Sequence, residues 1–374
     1  MMELKKVVIV PDSFKGTLTS KQVADIIAAE VNAAYPGCAI VKMPVADGGE
    51  GSMDTIVSAL GGEKYETQAN SPDDRQISAL FGIAGDGSAI LEMAQSSGIT
   101  KQNGLHPMTS NTYGFGQLIL AALERGAKDF VLCVGGSATT DGGCGMAAAL
   151  GARFLDRHGE SFIPCGATLQ NIEQIDTGSL DGRIADSRFT VMCDVDNPLY
   201  GKNGAAYVYS PQKGAKTEQI PLLDKGLQKL GKLFFEMTGE EIADYPGAGA
   251  AGGLGAGCIA FLNAKLKSGI ETILEICRFK EQITDADIII TGEGKLDVQS
   301  FSGKVLSGVL RESGDVPVWS VCGTCECDES VVRRHNLAVF QTSEGATAEE
   351  SMENPAEFLR AAVRKAMRYA SNLP

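Results

Sequence analysis

Short apolar runs alternate with helical stripes along almost the whole chain, and a chain patterned that way folds as a sheet covered by helices. Strand-like runs fall at Val7 to Val10, Ala39 to Met43, Ala89 to Met93, Phe130 to Val134, Phe189 to Cys193, Ile288 to Thr291, Val316 to Val321 and Leu337 to Gln341. Between them, apolar residues recur at helical spacing. Thr19 and Gln22 form a capping-box pattern ahead of Val23, Ile26, Ile27 and Val31, and Gly61 closes a stripe of Met53, Ile56, Val57 and Leu60. Further stripes run at 118–123, 223–237, 270–277, 304–311 and 358–367. Strands separated by helices pair mainly in parallel, so the fold class is α/β. At 374 residues the chain has room for about two domains. Strand–helix–strand spacing is tight at both ends and loose in the glycine-rich middle. This predicts one doubly wound domain from 1–80 plus 285–374 and a second α/β domain inserted over 81–284, with the active site in the cleft between them.

Charge narrows the partners. The 33 basic and 47 acidic side chains leave a net charge of −14, which argues against nucleic acid or an anionic membrane as the main partner, because gripping a polyanion needs a basic face. An anionic substrate must therefore find a local positive pocket. The apolar run Val7 to Val10 is too short for a signal peptide before Pro11 stops it, and the uncharged stretch 245–264 carries six glycines, which spoil a spanning helix. Ten scattered cysteines suit reduced thiols and a cytoplasmic location; Cys322, Cys325 and Cys327 cluster, but lack the further ligands a structural zinc needs. The oligomeric state stays open, a homo-oligomer included.

The 45 glycines collect with Asp, Glu, Lys, Ser and Thr in six loops, at 11–16, 46–51, 135–143, 193–198, 247–257 and 292–297, most of them directly after strand-like runs. In open α/β sheets ligands bind beyond the carboxyl ends of the strands, where glycine admits close backbone approach and helix N-termini present amides to anions. A phosphate-bearing ligand fits. Two familiar templates do not: Gly247, Gly249 and Gly252 match the dinucleotide spacing without a preceding strand, and the residues before Gly303-Lys304 lack the first glycine of a phosphate-binding loop. The three histidines lie outside the loops, so carboxylates must do any acid–base work. Clustered Asp and Lys beside phosphate-cradling loops point to phosphoryl transfer, in which positioning and charge neutralisation dominate and carboxylates hold Mg²⁺.

Asp12-Ser13-Phe14-Lys15-Gly16, the run Pro44 to Gly51, Gly135 to Gly143, Cys193 to Leu199, Pro211 to Ala215, Gly247 to Gly257 and Thr291 to Asp297 resemble, in order from about residue 5 to 370, the signatures of the bacterial type 1 glycerate kinases. The resemblance implies a flavodoxin-like domain with a second, mixed-sheet α/β domain. It also implies ATP-dependent phosphorylation of D-glycerate, at the 2-hydroxyl, with Mg²⁺. The nearest alternative is a kinase giving 3-phosphoglycerate or acting on another small hydroxy acid; a non-catalytic nucleotide-binding protein is a third, disfavoured by the surviving acids. Lys15 is the candidate cation for the substrate carboxylate or the transferring phosphate, and Asp47 and Asp194 the candidates for general base and magnesium ligand, in an order the sequence leaves open. Asp12, Ser13, Glu50, Asp141 and Asp297 are candidates for the substrate, and Asp196 for the metal beside Asp194. Ser137, Thr139, Lys213, Gly249, Gly252, Gly253, Gly255, Gly294 and Lys295 are candidates for the ATP phosphates. The chain departs from the family pattern at Phe115, Gln117, Thr140 and Lys295. Gln117 removes a carboxylate and is left out of the catalytic set.

Overall fold

The computed structural model describes residues 4–14, 16–43, 45–46, 48–301, 304–343 and 348–371. Lys15 and Asp47, two of the three catalytic candidates, lie outside the described residues. The chain divides into two compact units, Met1–Val45 with Ile270–Pro374, and Ala46–Gly269. In chain order the strands are β1 (Lys6–Pro11), β2 (Ala39–Lys42), β3 (Glu63–Asn70), β4 (Gln76–Ile83), β5 (Ala89–Glu92), β6 (Asp129–Cys133) and β7 (Arg153–Leu155). They continue with β8 (Ser161–Phe162), β9 (Gln174–Asp176), β10 (Arg188–Met192), β11 (Lys265–Lys267), β12 (Ile288–Leu296), β13 (Val318–Cys325) and β14 (Leu337–Gln341).

The first unit is a five-stranded parallel sheet in the order β2-β1-β12-β13-β14. Renumbered within the unit this is 2-1-3-4-5, the flavodoxin-like order. Both faces are covered, which is why Val7 to Val10 is continuously apolar rather than alternating. Val7 and Ile9 pack with Ile288 and Ile290 against Val23, Ile27, Leu359 and Val363 of the helices Ser20–Ala34 and Pro355–Ser371. Val8 and Val10 face the other way, with Ile289, onto Ile270, Leu306 and Val309. The capping box at Thr19 forms as the sequence predicts: the Gln22 amide donates to Thr19 Oγ1 at 3.3 Å and the Thr19 amide to Gln22 Oε1 at 2.9 Å. Thr19→Ala should therefore cost about 1 kcal/mol, read as a lower midpoint in chemical denaturation.

The second unit holds a six-stranded mixed sheet, β11-β10-β6-β5-β4-β3, and a small antiparallel sheet, β8-β7-β9. β11, β10, β6 and β5 run parallel, whereas β5, β4 and β3 are antiparallel. Residues 46–80, grouped by the sequence reading with the chain ends, belong to this unit, because β3 pairs with β4 and β4 with β5. The eight strand-like runs all form strands, but β12 continues past Thr291 to Leu296 by pairing Lys295 with Thr324 and Leu296 with Cys325. Most of the expected 292–297 loop is thus strand. Close approach explains a glycine there: a Cβ on Gly292 would lie 2.9 Å from the Val321 carbonyl oxygen. The expected loop over 247–257 is also mostly regular, because Ala250–Leu262 is helical with a kink of positive φ at Ala251, Gly252 and Gly253. No described helix is long and apolar enough to cross a membrane.

Candidate active site

Each unit carries a pocket at the carboxyl ends of its parallel strands. In the first, β1 leads away to one side of the sheet and β12 to the other, and ligands collect at such a reversal of strand order. The pocket there has a volume of about 430 Å³ and is lined by Asp12, Ser13, Glu293, Gly294, Lys295 and Asp297, with Lys304, Phe14 and Thr324 among the other walls. Asp12 Oδ1 accepts from the Ser13 amide at 2.6 Å. Asp297 Oδ1 accepts from the Gln299 and Ser300 amides at 2.9 and 3.3 Å, so it caps the short turn Val298–Phe301. Lys295 is exposed and pairs with Glu326 at 2.8 Å, which holds its ammonium above the ordinary lysine value. A pair this exposed adds little to stability and is easily exchanged for another anion.

Glu293 is the residue the sequence reading missed in this pocket. It is only 9% exposed, and Ser300 Oγ donates to its Oε2 at 2.6 Å. Burial pushes its carboxyl up to about 7, against the lowering effects of the Ser300 hydrogen bond and the Lys304 ammonium; the negative charges of Asp12 and Asp297 add to the rise. An acid directly behind a buried apolar run was the available signal.

In the second unit the pocket measures about 230 Å³ and lies beyond β6 and β10. Its lining includes Gly135, Gly136, Ser137, Asp194, Gln212 and Lys213. Lys213, on the short turn Pro211–Lys213, is 2% exposed, and its Nζ donates to Ser137 Oγ and to the Thr139 carbonyl, each at 2.6 Å. Burial pulls this ammonium down to about 7, opposed by the negative charge of Asp141. Thr139 itself is fully buried and reaches the site through that carbonyl; its Oγ1 has no hydrogen-bond partner among the described residues.

Asp141 takes a different place from the substrate role expected of it. It is fully buried; its Oδ2 accepts from the Thr112 amide at 2.8 Å, the Thr112 hydroxyl at 2.7 Å and the Gly145 amide at 3.1 Å. Its carboxylate organises the loop, and burial raises its pKa. The glycines expected around phosphates are likewise packed against protein. A Cβ on Gly252 would lie 2.0 Å from the Thr139 carbonyl oxygen, on Gly249 2.2 Å from that of Pro198, on Gly255 2.2 Å from that of Gly247, and on Gly253 2.8 Å from Leu199 Cδ1. Gly252 and Gly253 let the 250–262 helix down onto the 139–143 loop, whereas Ala250 and Ala251 line the pocket.

Asp194 and Asp196 are both exposed on the loop after β10, and Asp194 Oδ1 accepts from the Gly269 amide at 2.8 Å. Among the described residues no three Asp, Glu, His or Cys side chains gather as a ligand set. The Asp194 and Asp196 carboxylates are donors of the kind Mg²⁺ takes, one or two of them with phosphate oxygens and water completing its shell. Glu50 is exposed on the turn Gly48 to Gly51, which docks on the loop through the Gly135 amide donating to the Gly48 carbonyl at 2.9 Å. Gln117 Oε1 accepts from the Asn70 amide at 2.7 Å, a structural duty in keeping with its omission from the catalytic set.

Residues 7–371 match the sequence model of the glycerate kinase family. The chain is 40% identical over 369 residues to a glycerate kinase of Bacillus subtilis (strain 168), covering 96% of each chain. It is 40% identical over 341 residues to a glycerate 2-kinase of Escherichia coli (strain K12), covering 90% of each. A protein of Salmonella typhimurium LT2, whose crystal structure was provisionally assigned as glycerate kinase 2, superposes with a TM-score of 0.84 at 35% identity, covering 98% of both chains.

Proposed function

Because the chain belongs to the glycerate kinase family, and is therefore a phosphotransferase, we propose that it transfers the γ-phosphoryl group of ATP to the 2-hydroxyl of D-glycerate, giving 2-phosphoglycerate and ADP. The observation that carries this reading is the buried Lys213 ammonium clasped between Ser137 and the Thr139 carbonyl at the edge of a pocket shared with Asp194. A point charge held without freedom to move is what a transferring phosphate needs, since phosphoryl transfer depends on positioning and on neutralising spread negative charge. Gly294 and Lys295 would add to the grip on the nucleotide, and Asp12, Ser13, Glu50 and Asp297 to that on the acceptor, with Lys15 as a second cation. Asp194, Asp196 and Asp47 are the carboxylates for Mg²⁺ and proton transfer; the ion, when bound, neutralises phosphate charge. The choice of the 2-hydroxyl follows the E. coli relative's name, glycerate 2-kinase. The same reading has the enzyme work in the cytoplasm, where ATP is supplied.

The test is ADP release from ATP and Mg²⁺ with D-glycerate, followed by phosphorus NMR of the product. The expected result is D-glycerate-dependent turnover and a phosphate ester on C2. An ester on C3 would replace the regiochemistry and keep the kinase. No turnover with D-glycerate or any other small hydroxy acid would defeat the reading.

A further inference from the structure

We propose that Glu293 is a further catalytic residue, whose carboxylate takes the proton from the acceptor's hydroxyl as that oxygen attacks the γ-phosphorus. The inference rests on the kinase reading above and assigns its proton transfer to a residue of the first unit, leaving Asp47 and Asp194 to the metal. Three observations carry it. The pocket of about 430 Å³ sits at the strand-order reversal where an open α/β sheet binds its ligand, and Glu293 is in its wall. The carboxyl is nine-tenths buried yet borders that cavity, so water screens it little and a bound hydroxyl can reach it. Its Oε2 is fixed by Ser300, itself fully buried, while no hydrogen bond to Oε1 is found among the described residues.

The groups facing it set its proton affinity. Asp12 approaches from beyond β1, Cys322 sits opposite on β13 with Cys327 further along, and Asp297 and Lys304 come from the segment after β12. Burial and the acids raise its pKa to about 7, whereas Ser300 and Lys304 hold it down. A base titrating near the working pH combines a useful ionised fraction with real proton affinity. In the step, the hydroxyl O–H bond breaks and its proton goes to Glu293; the oxygen's electron pair forms the new P–O bond. The bond from the γ-phosphorus to the bridging oxygen breaks with its electrons going to ADP, and Glu293 later releases its proton to solvent.

The experiment is the pH profile of kcat for D-glycerate in the wild type, Glu293→Gln, Glu293→Asp and Ser300→Ala. Glu293→Gln should lower kcat about a hundred-fold or more, with nucleotide binding by calorimetry retained. Glu293→Asp should recover part of the loss. Ser300→Ala leaves the carboxyl in place but removes a hydrogen bond to its charged form, so the acid limb of the profile should move to higher pH, and Ser300→Thr should bring it back. A Glu293→Gln enzyme within a few-fold of wild type, or an acid limb unmoved in Ser300→Ala, overturns the proposal; the second arm decides should Glu293→Gln fail to fold. Wild-type turnover is the control. Its absence defeats the kinase reading and this inference together, whereas normal wild-type turnover beside an unimpaired Glu293→Gln defeats this inference alone.

Discussion

Lys213→Met is expected to lower kcat/KM for ATP by roughly a hundred- to a thousand-fold, the scale on which a single preorganised charge-stabilising group acts in a shielded site. Methionine fills similar space, so the pocket wall should survive while the ammonium between Ser137 and the Thr139 carbonyl is lost. Steady-state kinetics with varied ATP would measure this, and a loss below about ten-fold would take Lys213 out of the phosphate grip. The pH dependence supplies an independent sign. Burial depresses this lysine to about 7, below the unfolded value of roughly 10.4. Between those two values the unfolded chain binds more protons than the folded one, so this residue makes stability rise with pH from about 7 to 10 and adds no slope below that window, where both states are protonated. Lys213→Met should flatten that slope in denaturation midpoints measured across the range. Binding of an anionic phosphate has the opposite pull, because it favours the charged form, so nucleotide affinity should weaken as pH rises above 7 in the wild type.

The second large effect concerns stability. Asp141→Ala should destabilise the 139–145 loop region by about 3–5 kcal/mol, because the Thr112 amide, the Thr112 hydroxyl and the Gly145 amide would be left in the interior without their acceptor. Chemical denaturation reads this directly, and a change under about 1 kcal/mol would mean that the loop rearranges to find other partners. Activity should fall with it, since Ser137 and the Thr139 carbonyl belong to the same loop and Asp141 is the charge that favours the protonated Lys213. Addition of ATP should then recover part of the midpoint, as ligand binding to the folded state does in general.

Much of the fold was legible because it is written in local patterns. The capping box at Thr19 and Gln22 forms as expected, Gly61 closes its helix at positive φ, and the runs from Val7 to Val10 and Ile288 to Ile290 are apolar at every position because both sheet faces are covered. The β3–β4 hairpin escaped because Glu63–Asn70 is an edge strand with a largely polar, exposed surface, so no apolar period marks it. The 250–262 helix escaped for the opposite reason. Its glycines argue against a helix by propensity, but tertiary packing against the 139–143 loop requires them, and packing wins. Lys213 was recognisable as a candidate for phosphate, but not its burial, which depends on Ser137 and Thr139 some seventy-five residues away. Glu293 was hidden likewise: its proton affinity is set by β1, β13, Ser300 and Lys304, none of which can be placed from its own segment.

The split of the first unit across the chain has a consequence for how the molecule is made. β1 cannot complete its pairing until β12 has emerged from the ribosome, some 280 residues later, which at ordinary elongation rates is a wait of about 15–55 seconds. Through that interval Val7 to Val10, apolar on both sides, has only β2 and the helix Ser20–Ala34 for cover, and by its end every residue of the Ala46–Gly269 unit has been synthesised. The nascent chain thus builds its middle first and seals its two ends together last, so the early N-terminal strand is where chaperone protection during translation matters most.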